Sequence, residues 1–539
     1  MRKFVKKQIL DIFDTLYQAH KSAEKCIKSK DEEAAISLLG DCQNTAVEVG
    51  NILDESDPVE ADAIHLLEEY CEVVYRVSVE TANGIKGNAA REMLDNSLRS
   101  AEKHIRENVK ERLEIVFMPY KASMWDSLES VWKAADEDPD CDAYVVPIPY
   151  YDRNPDHSFG KYHYEGRDYP NNVPITHYDQ YDLSAHRPDV IYIHNPYDAQ
   201  NYVTSVDPRF YSSKLKKYTK CLTYCEYGVP YNVFKEPMPL EQYDSILDSW
   251  FNFDLYIVFS KVIENNLRFA LNKYKPNCKT NIIALGSPKF DKIVNSTITD
   301  YSLPDEWIKI KSGKKVVLFN TGLTVMLKNS DSYMQRLRNV LNIFKNNNEV
   351  VLWWRPHPLM ESTIKSMRPD LHKEYSEIVK EYIREGWGIY DLTTDLDRAI
   401  TCTDAYYGDI SSVVYLYCAT GKPFTIVDFP YDNYMFTEDT NTFDKCLNWR
   451  INNMKCAPGA NIDNYNIMIW WSNFYEDLDY KKFLRLYLDY VAHSERYQQA
   501  ELYRKLQIEL YHEFVENYDG TAGIKIHEYT KNYVKKPFS

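Results

Sequence analysis

Ala405-Tyr406-Tyr407-Gly408-Asp409-Ile410-Ser411-Ser412 runs into an apolar segment, Val413 to Thr420, that is closed by Gly421-Lys422-Pro423. Three apolar residues read as a short buried strand. The small polar group after them reads as a turn, and the segment stopped by Gly421 as a helix. Pro423-Phe424-Thr425-Ile426-Val427 then begins another strand. Strand, turn, helix and strand in this order make a parallel sheet covered by helices. The same alternation extends toward the N-terminus. Lys315–Phe319, Glu349–Trp354 and Gly388–Tyr390 read as strands, with a helix through Tyr333, Leu337, Val340, Leu341 and Phe344 between the first two.

A second series precedes Pro304. Its strands are 114–119, 143–147, 189–193, 220–224, 255–259 and 281–285. The expected fold class is therefore α/β, with two consecutive Rossmann-like units. Residues 1–110 read as a helical region, with Val5, Ile9, Ile12, Phe13 and Leu16 at helical spacing and a helix start at Asp57-Pro58-Val59-Glu60. The expected boundaries are 1–110, 111–300, 301–460, and 461–539 for C-terminal helices packing across both units.

The chain has 539 residues, 44% hydrophobic and 27% charged, which is globular composition and excludes a disordered chain. Lys+Arg is 64 and Asp+Glu is 80, giving 64 − 80 = −16, so no broad footprint for nucleic acid exists. No apolar run is long enough to span a bilayer, and Gln8, Asp11 and Asp14 interrupt any secretory core. The expectation is a cytoplasmic protein. Its 11 cysteines are scattered, without the paired spacing of a zinc site.

In open α/β sheets, ligands bind beyond the carboxyl ends of the strands. Asp409, Ser411 and Ser412 sit at one such end, where hydroxyls and amides at a helix start suit a phosphate; an ordinary helix cap gives the same pattern. Arg355 and His357 follow the 349–354 strand between prolines and suit a diphosphate, against the alternative of a plain surface loop. Thr321 follows the 315–319 strand. Glu226 and His194 end two strands of the first unit, where a carboxylate or imidazole can serve as base; a buried ion pair and a structural His are the competing readings. Gly286-Ser287-Pro288-Lys289-Phe290-Asp291 ends that unit's last strand with a cation and a carboxylate.

Taken in order over about 220–435, these elements resemble the CDP-glycerol glycerophosphotransferase family, the polymerases and primases of teichoic acid synthesis. Gly286–Asp291 matches the family's Gly-x-Pro-Arg-x-Asp element, with Lys289 in the Arg place. His357-Pro358 matches its His-Pro pair, and Asp409–Ser412 with Gly421-Lys422-Pro423 its Asp-Tyr-Ser-Ser helix. Asp519-Gly520-Thr521-Ala522 is a weaker echo. One departure is Tyr227-Gly228-Val229-Pro230, where the family has His-Gly-Thr-Pro and that His is its proposed base.

The resemblance implies a GT-B fold, with nucleotide on the second unit. It implies a transferase moving phosphoglycerol, or a similar polyol phosphate, from a CDP-activated donor to a lipid-linked or polymeric acceptor, releasing CMP. His357 would then serve the donor, with Arg355, Asp409, Ser411, Ser412, Thr321 and Lys289 around the diphosphate. Glu226 or His194 would be the base. No cofactor is required, and a loosely held Mg²⁺ stays open. The resemblance further implies attachment to the inner membrane face, for which Arg2, Lys3, Lys6 and Lys7 suit anionic lipid. A nucleotide-sugar glycosyltransferase and a scaffold with a degenerate cleft are the alternatives.

Overall fold

In the computed structural model, the described residues are 1–55, 59–228, 247–328, 330–393, 395–409, 411–426, 479–497, 501–502, 504–505 and 515–535. The expected helix start at Asp57-Pro58 and the stretch 427–478 lie outside them.

Four helices open the chain: α1 (Lys3–Lys28), α2 (Glu32–Asp54), α3 (Ala61–Ala82) and α4 (Gly87–Asn108). Each packs on the next and α1 also packs on α4, which makes an antiparallel bundle. Its apolar stripe, including Ile9, Phe13, Leu39, Leu67, Val74 and Leu94, is fully buried, as helical spacing dictates. Inside it His20 is bonded to Asp95 (2.8 Å) and Tyr70 (2.7 Å), so this buried polar group is satisfied.

The basic start of α1 docks the bundle onto the first sheet, so that Arg2 and Lys6, two of the four residues read as suited to anionic lipid, are engaged by the fold. Arg2 pairs with buried Glu114 at 3.0 Å. Buried Lys6 donates to the carbonyls of Arg106 (3.2 Å) and Val109 (2.7 Å), which cap the end of α4. Lys3 reaches the Val534 carbonyl at 3.4 Å, and only Lys7 is exposed, beside Asp11. No helix among the described residues is long and apolar enough to cross a membrane.

The first α/β unit is a six-stranded, wholly parallel sheet. Its strands are β1 (Leu113–Phe117), β2 (Cys141–Val145), β5 (Val190–Ile193), β7 (Cys221–Cys225), β8 (Leu255–Val258) and β9 (Asn281–Ala284). The order is β2-β1-β5-β7-β8-β9. A three-stranded antiparallel sheet is inserted here, of β3 (Tyr150–Arg153), β4 (Phe159–His163) and β6 (Thr204–Val206). The sequence reading missed it, because its strands are short, β3 and β4 are largely exposed or half-buried, and none carries the continuous apolar run that marks a parallel core.

The second unit has β10 (Lys315–Thr321), β11 (Val350–Pro356), β12 (Ile389–Tyr390), β13 (Ala405–Gly408) and β14 (Phe424–Ile426), in the order β12-β11-β10-β13-β14. All pairings are parallel, so these are the two α/β units expected of a GT-B fold. The expected 413–420 helix is Ser412–Cys418.

Ion pairs of Lys292 join the units. In the helix Pro288–Asn295, Lys292 bridges Glu129 of the first unit (3.4 Å) and Asp397 of the second (3.1 Å). Asp291 of the same helix accepts from the Ala522 and Gly523 amides (3.1 and 2.6 Å), capping the C-terminal helix Ala522–Lys535, which packs against α5 (Glu129–Asp136). The helix Asp479–Ala492 packs instead on the second unit.

Candidate functional site

Within the second sheet, β10 comes first in the chain and β13 starts the series on its other side. The crevice between their carboxyl ends is therefore the topological switch point. Asn320 ties this crevice together. Its carbonyl accepts from the Asp409 amide (2.9 Å), its Oδ1 from Ser411 Oγ (2.9 Å), and its Nδ2 donates to the Arg355 carbonyl (3.0 Å). Gly408 is required by this close approach: a Cβ there would lie 2.3 Å from the Asn320 carbonyl oxygen.

Asp409 is buried, and its Oδ2 accepts from the Gly322 amide at 2.6 Å. It therefore holds the 320–322 turn against β13 and does not offer a ligand to phosphate, which corrects its reading as a diphosphate-binding residue. Ser411 caps the following helix through Val413 (3.2 Å), and Ser412, its first residue, is exposed. Thr321 is buried and accepts from Trp354 Nε1 at 3.2 Å, which leaves its hydroxyl proton for a further partner.

His357 sits beside this crevice, its backbone amide on the Thr321 carbonyl (2.9 Å). Its Nδ1 accepts from the Leu359 amide at 3.1 Å, so the neutral ring carries its proton on Nε2. Partial burial lowers its pKa and favours that neutral form.

Arg355 is elsewhere. Its guanidinium turns into the unit, onto Asp391 (2.6 Å) and the Thr393 carbonyl (2.5 Å), and Asp391 is wholly buried. The expectation of a diphosphate clamp at Arg355 is corrected: a buried carboxylate outcompetes an exposed anion for a charge that has already lost its water. Among the described residues, a cation that lines the crevice is Arg336, from the helix Ser330–Lys345, 3.9 Å from Asp409 Oδ1. The sequence reading passed over it, although the signal was present: an Arg set on an apolar stripe between Tyr333 and Val340. Arg336, Thr321, Tyr333 and Asp409 line one small pocket.

The first unit's candidates also separate. His194 is fully buried, its Nε2 accepts from the Tyr120 amide (3.2 Å) and its Nδ1 lies 3.2 Å from Ser127 Oγ. Both nitrogens are occupied and burial pushes its pKa down to about 3. His194 is a structural plug between β1 and β5, not a base. Lys289 lies 2.8 Å from both oxygens of Asp126, so its expected role at the diphosphate is likewise corrected to an internal ion pair.

Glu226 differs. The residue is half-buried, its Oε2 has no partner among the described residues, and desolvation raises its pKa to about 8. It adjoins Tyr227, whose hydroxyl lies 3.4 Å from that of Tyr197. Lys422 of the Gly-Lys-Pro element caps the helix Leu396–Thr401 through three carbonyls, of Ile400 (3.1 Å), Thr401 (2.8 Å) and Thr403 (2.6 Å). A cluster of Asp138, Cys141 and His527 has metal-like spacing, but Lys531 already supplies its cation, 2.6 Å from Asp138.

Residues 241–483 match the sequence model of the family described as CDP-glycerol:poly(glycerophosphate) glycerophosphotransferase. The resemblance read from the motifs over about 220–435 is met from residue 241 onward. No curated protein matches the chain. Among solved structures, a putative UDP-N-acetylglucosamine 2-epimerase from Listeria monocytogenes is similar at 13% identity, over 79% of this chain and 98% of that one, with a TM-score of 0.46. The wall teichoic acid polymerase TagF is similar at 16% identity, over 87% of this chain and 98% of that one, with a TM-score of 0.43.

Proposed function

Because residues 241–483 carry the sequence of a glycerophosphotransferase family, we propose that the protein moves a phosphoglycerol unit from CDP-glycerol to a hydroxyl of a polymer precursor. The observation that carries this is coincidence: the matched stretch contains the whole switch-point crevice with His357, Ser411 and Arg336. The acceptor unit is taken as 111–300 and the donor unit as 301–460. The acceptor is taken to be lipid-linked and met at the cytoplasmic face of the membrane.

In this reading the acceptor oxygen attacks the β-phosphorus, the bond from that phosphorus to the bridging oxygen breaks, and CMP leaves with that oxygen. Arg336, the exposed Ser412 hydroxyl and the amides around it stabilise charge on the diphosphate, while the Ser411 hydroxyl stays on Asn320 and caps the helix. His357 Nε2–H donates to a phosphate or leaving oxygen. The hydroxyl proton passes to Glu226, the remaining candidate of the first wall now that His194 is accounted for.

The test is CMP release from CDP-glycerol with a lipid-linked acceptor, run beside CDP titration. His357→Ala should depress turnover and donor binding together. Glu226→Gln should reduce turnover by about 100-fold or more while CDP affinity stays near wild type. CDP binding by wild type without CMP release from any CDP-polyol would overturn the transferase reading.

A further inference from the structure

At the opposite end of the first sheet, beneath the amino ends of β5 and β7, lies a cavity of about 490 Å³. Six cationic side chains line it: Lys3, Lys6 and Lys7 from α1, Arg187 before β5, and Lys217 and Lys220 before β7. Glu111 and Asp189 are its acids. Asp189 accepts from the Glu114 amide at 3.1 Å, so its carboxylate already serves the sheet. The wall thus carries a net excess of positive charge in a chain of net charge −16.

Not every cation is committed to the fold. Lys6 is spent on carbonyls, and Lys3 leans on one. Lys217 and Lys220 are exposed, and their ammonium groups have no ion-pair partner among the described residues. Arg187 is exposed too. One of its nitrogens holds the Lys217 carbonyl (2.9 Å), and it occupies the left-handed region, φ +48°, at the end of a short helix. Glycine or asparagine is the less costly residue in that conformation, so the backbone strain is kept alongside an arginine at the cavity mouth. Gathering these charges costs repulsion, and a concave basic wall focuses its field on whatever enters.

We propose that this cavity is a binding site for an organic phosphate, an anionic phosphate ester carrying an apolar or polyol portion. Lysines act as point-charge phosphate ligands and arginine as a forked one. Phe4 and Tyr218, both half-buried in the lining, give the organic portion a surface. The volume falls in the range of small-molecule sites. The site lies under the first sheet, separate from the switch-point crevice of the second sheet, and does not depend on the transferase chemistry.

The phosphate ester has two sources, a soluble molecule or a lipid headgroup. The full chain is titrated calorimetrically with glycerol 3-phosphate, with inorganic phosphate, and with glycerol as the uncharged control. Separately it is sedimented with phosphatidylglycerol and with phosphatidylcholine vesicles. Each measurement is repeated on Arg187→Gln/Lys217→Gln/Lys220→Gln and on the milder Lys217→Gln/Lys220→Gln, whose two sites are exposed. Circular dichroism and the melting midpoint report that each variant is folded. Glycerol 3-phosphate binding that weakens at least tenfold in the variants supports the site with a soluble ester. Binding to phosphatidylglycerol vesicles alone, lost in the variants, supports it with a headgroup. No binding by wild type, or binding unchanged in both variants, overturns it. Failure of CMP release would leave these outcomes untouched.

Discussion

Asp409 Oδ2 lies 2.6 Å from the backbone nitrogen of Gly322, joining the ends of β13 and β10 across the crevice. The bond is charge-assisted and buried, and its loss leaves an amide unpaired. Asp409→Ala should cost about 1.5–3 kcal/mol in chemical denaturation, the scale for a hydrogen bond to a charged group. The 320–322 turn should loosen with it, so CDP affinity falls as well. Unchanged stability would show that the turn is held by other contacts.

Arg355 and Arg336 should behave oppositely. Arg355→Met leaves buried Asp391 with the more distant Arg398 (4.0 Å) in place of its close cation, at a cost of about 3 kcal/mol. Any loss of CDP binding should then follow loss of folded protein. Arg336→Gln should lower the melting midpoint less than Arg355→Met, because its contact with Asp409 is longer (3.9 Å), yet weaken CDP about tenfold. Equal stability losses in the two variants would erase the distinction between a structural and a donor-side cation.

Glu226 sets a pH dependence. With a folded pKa of about 8, only about a tenth of it is ionised at pH 7, so turnover should rise with pH until it levels above pH 8. Stability moves the other way. Between about pH 4.5 and 8 the folded state holds a proton that the unfolded state has lost, so this group's contribution falls as pH rises through 8. Denaturation of Glu226→Gln against wild type at pH 6 and pH 9 should show the variant gaining at pH 9. A rate profile flat from pH 6.5 to 9 would remove Glu226 as the base.

His194 has the reverse sign. Its folded pKa of about 3 lies below the unfolded value near 6.5, so its contribution is full above pH 6.5 and is lost as pH falls toward 3. His194→Gln should flatten that part of the stability curve. Its turnover at pH 8, measured on the fraction still folded, should match wild type; a hundredfold loss there would restore His194 to the reaction.

The Gly286–Asp291 element should act through the C-terminus. Gly286 has φ +89°, and a Cβ there would meet the Glu516 carbonyl oxygen at 2.1 Å. Gly286→Ala and Asp291→Ala should each release the helix Ala522–Lys535, read as faster proteolytic cleavage within 515–535 at unchanged CDP affinity. Protection equal to wild type in both would mean that the helix is held by its packing on α5 alone.

The strands were legible because apolar runs such as Val350–Trp354 and Leu255–Val258 are written locally, in residues buried on both faces. The turns after them were equally legible, since Gly408, Asp409 and Ser411 announce a strand end wherever they stand. Residue type and position placed His357, Glu226 and the crevice residues at strand ends correctly. Partnership was not written there. Arg355 looks available until Asp391, 36 positions away, is folded against it, and Lys289 until Asp126 is. Arg336 joins the crevice only because its helix lies over β10 and β13. The sequence by itself determined which segments become strands, because burial is decided by each segment's own apolar pattern. The tertiary structure alone decided which charges remain for a ligand, because an ion pair depends on the distance between groups that the chain keeps far apart.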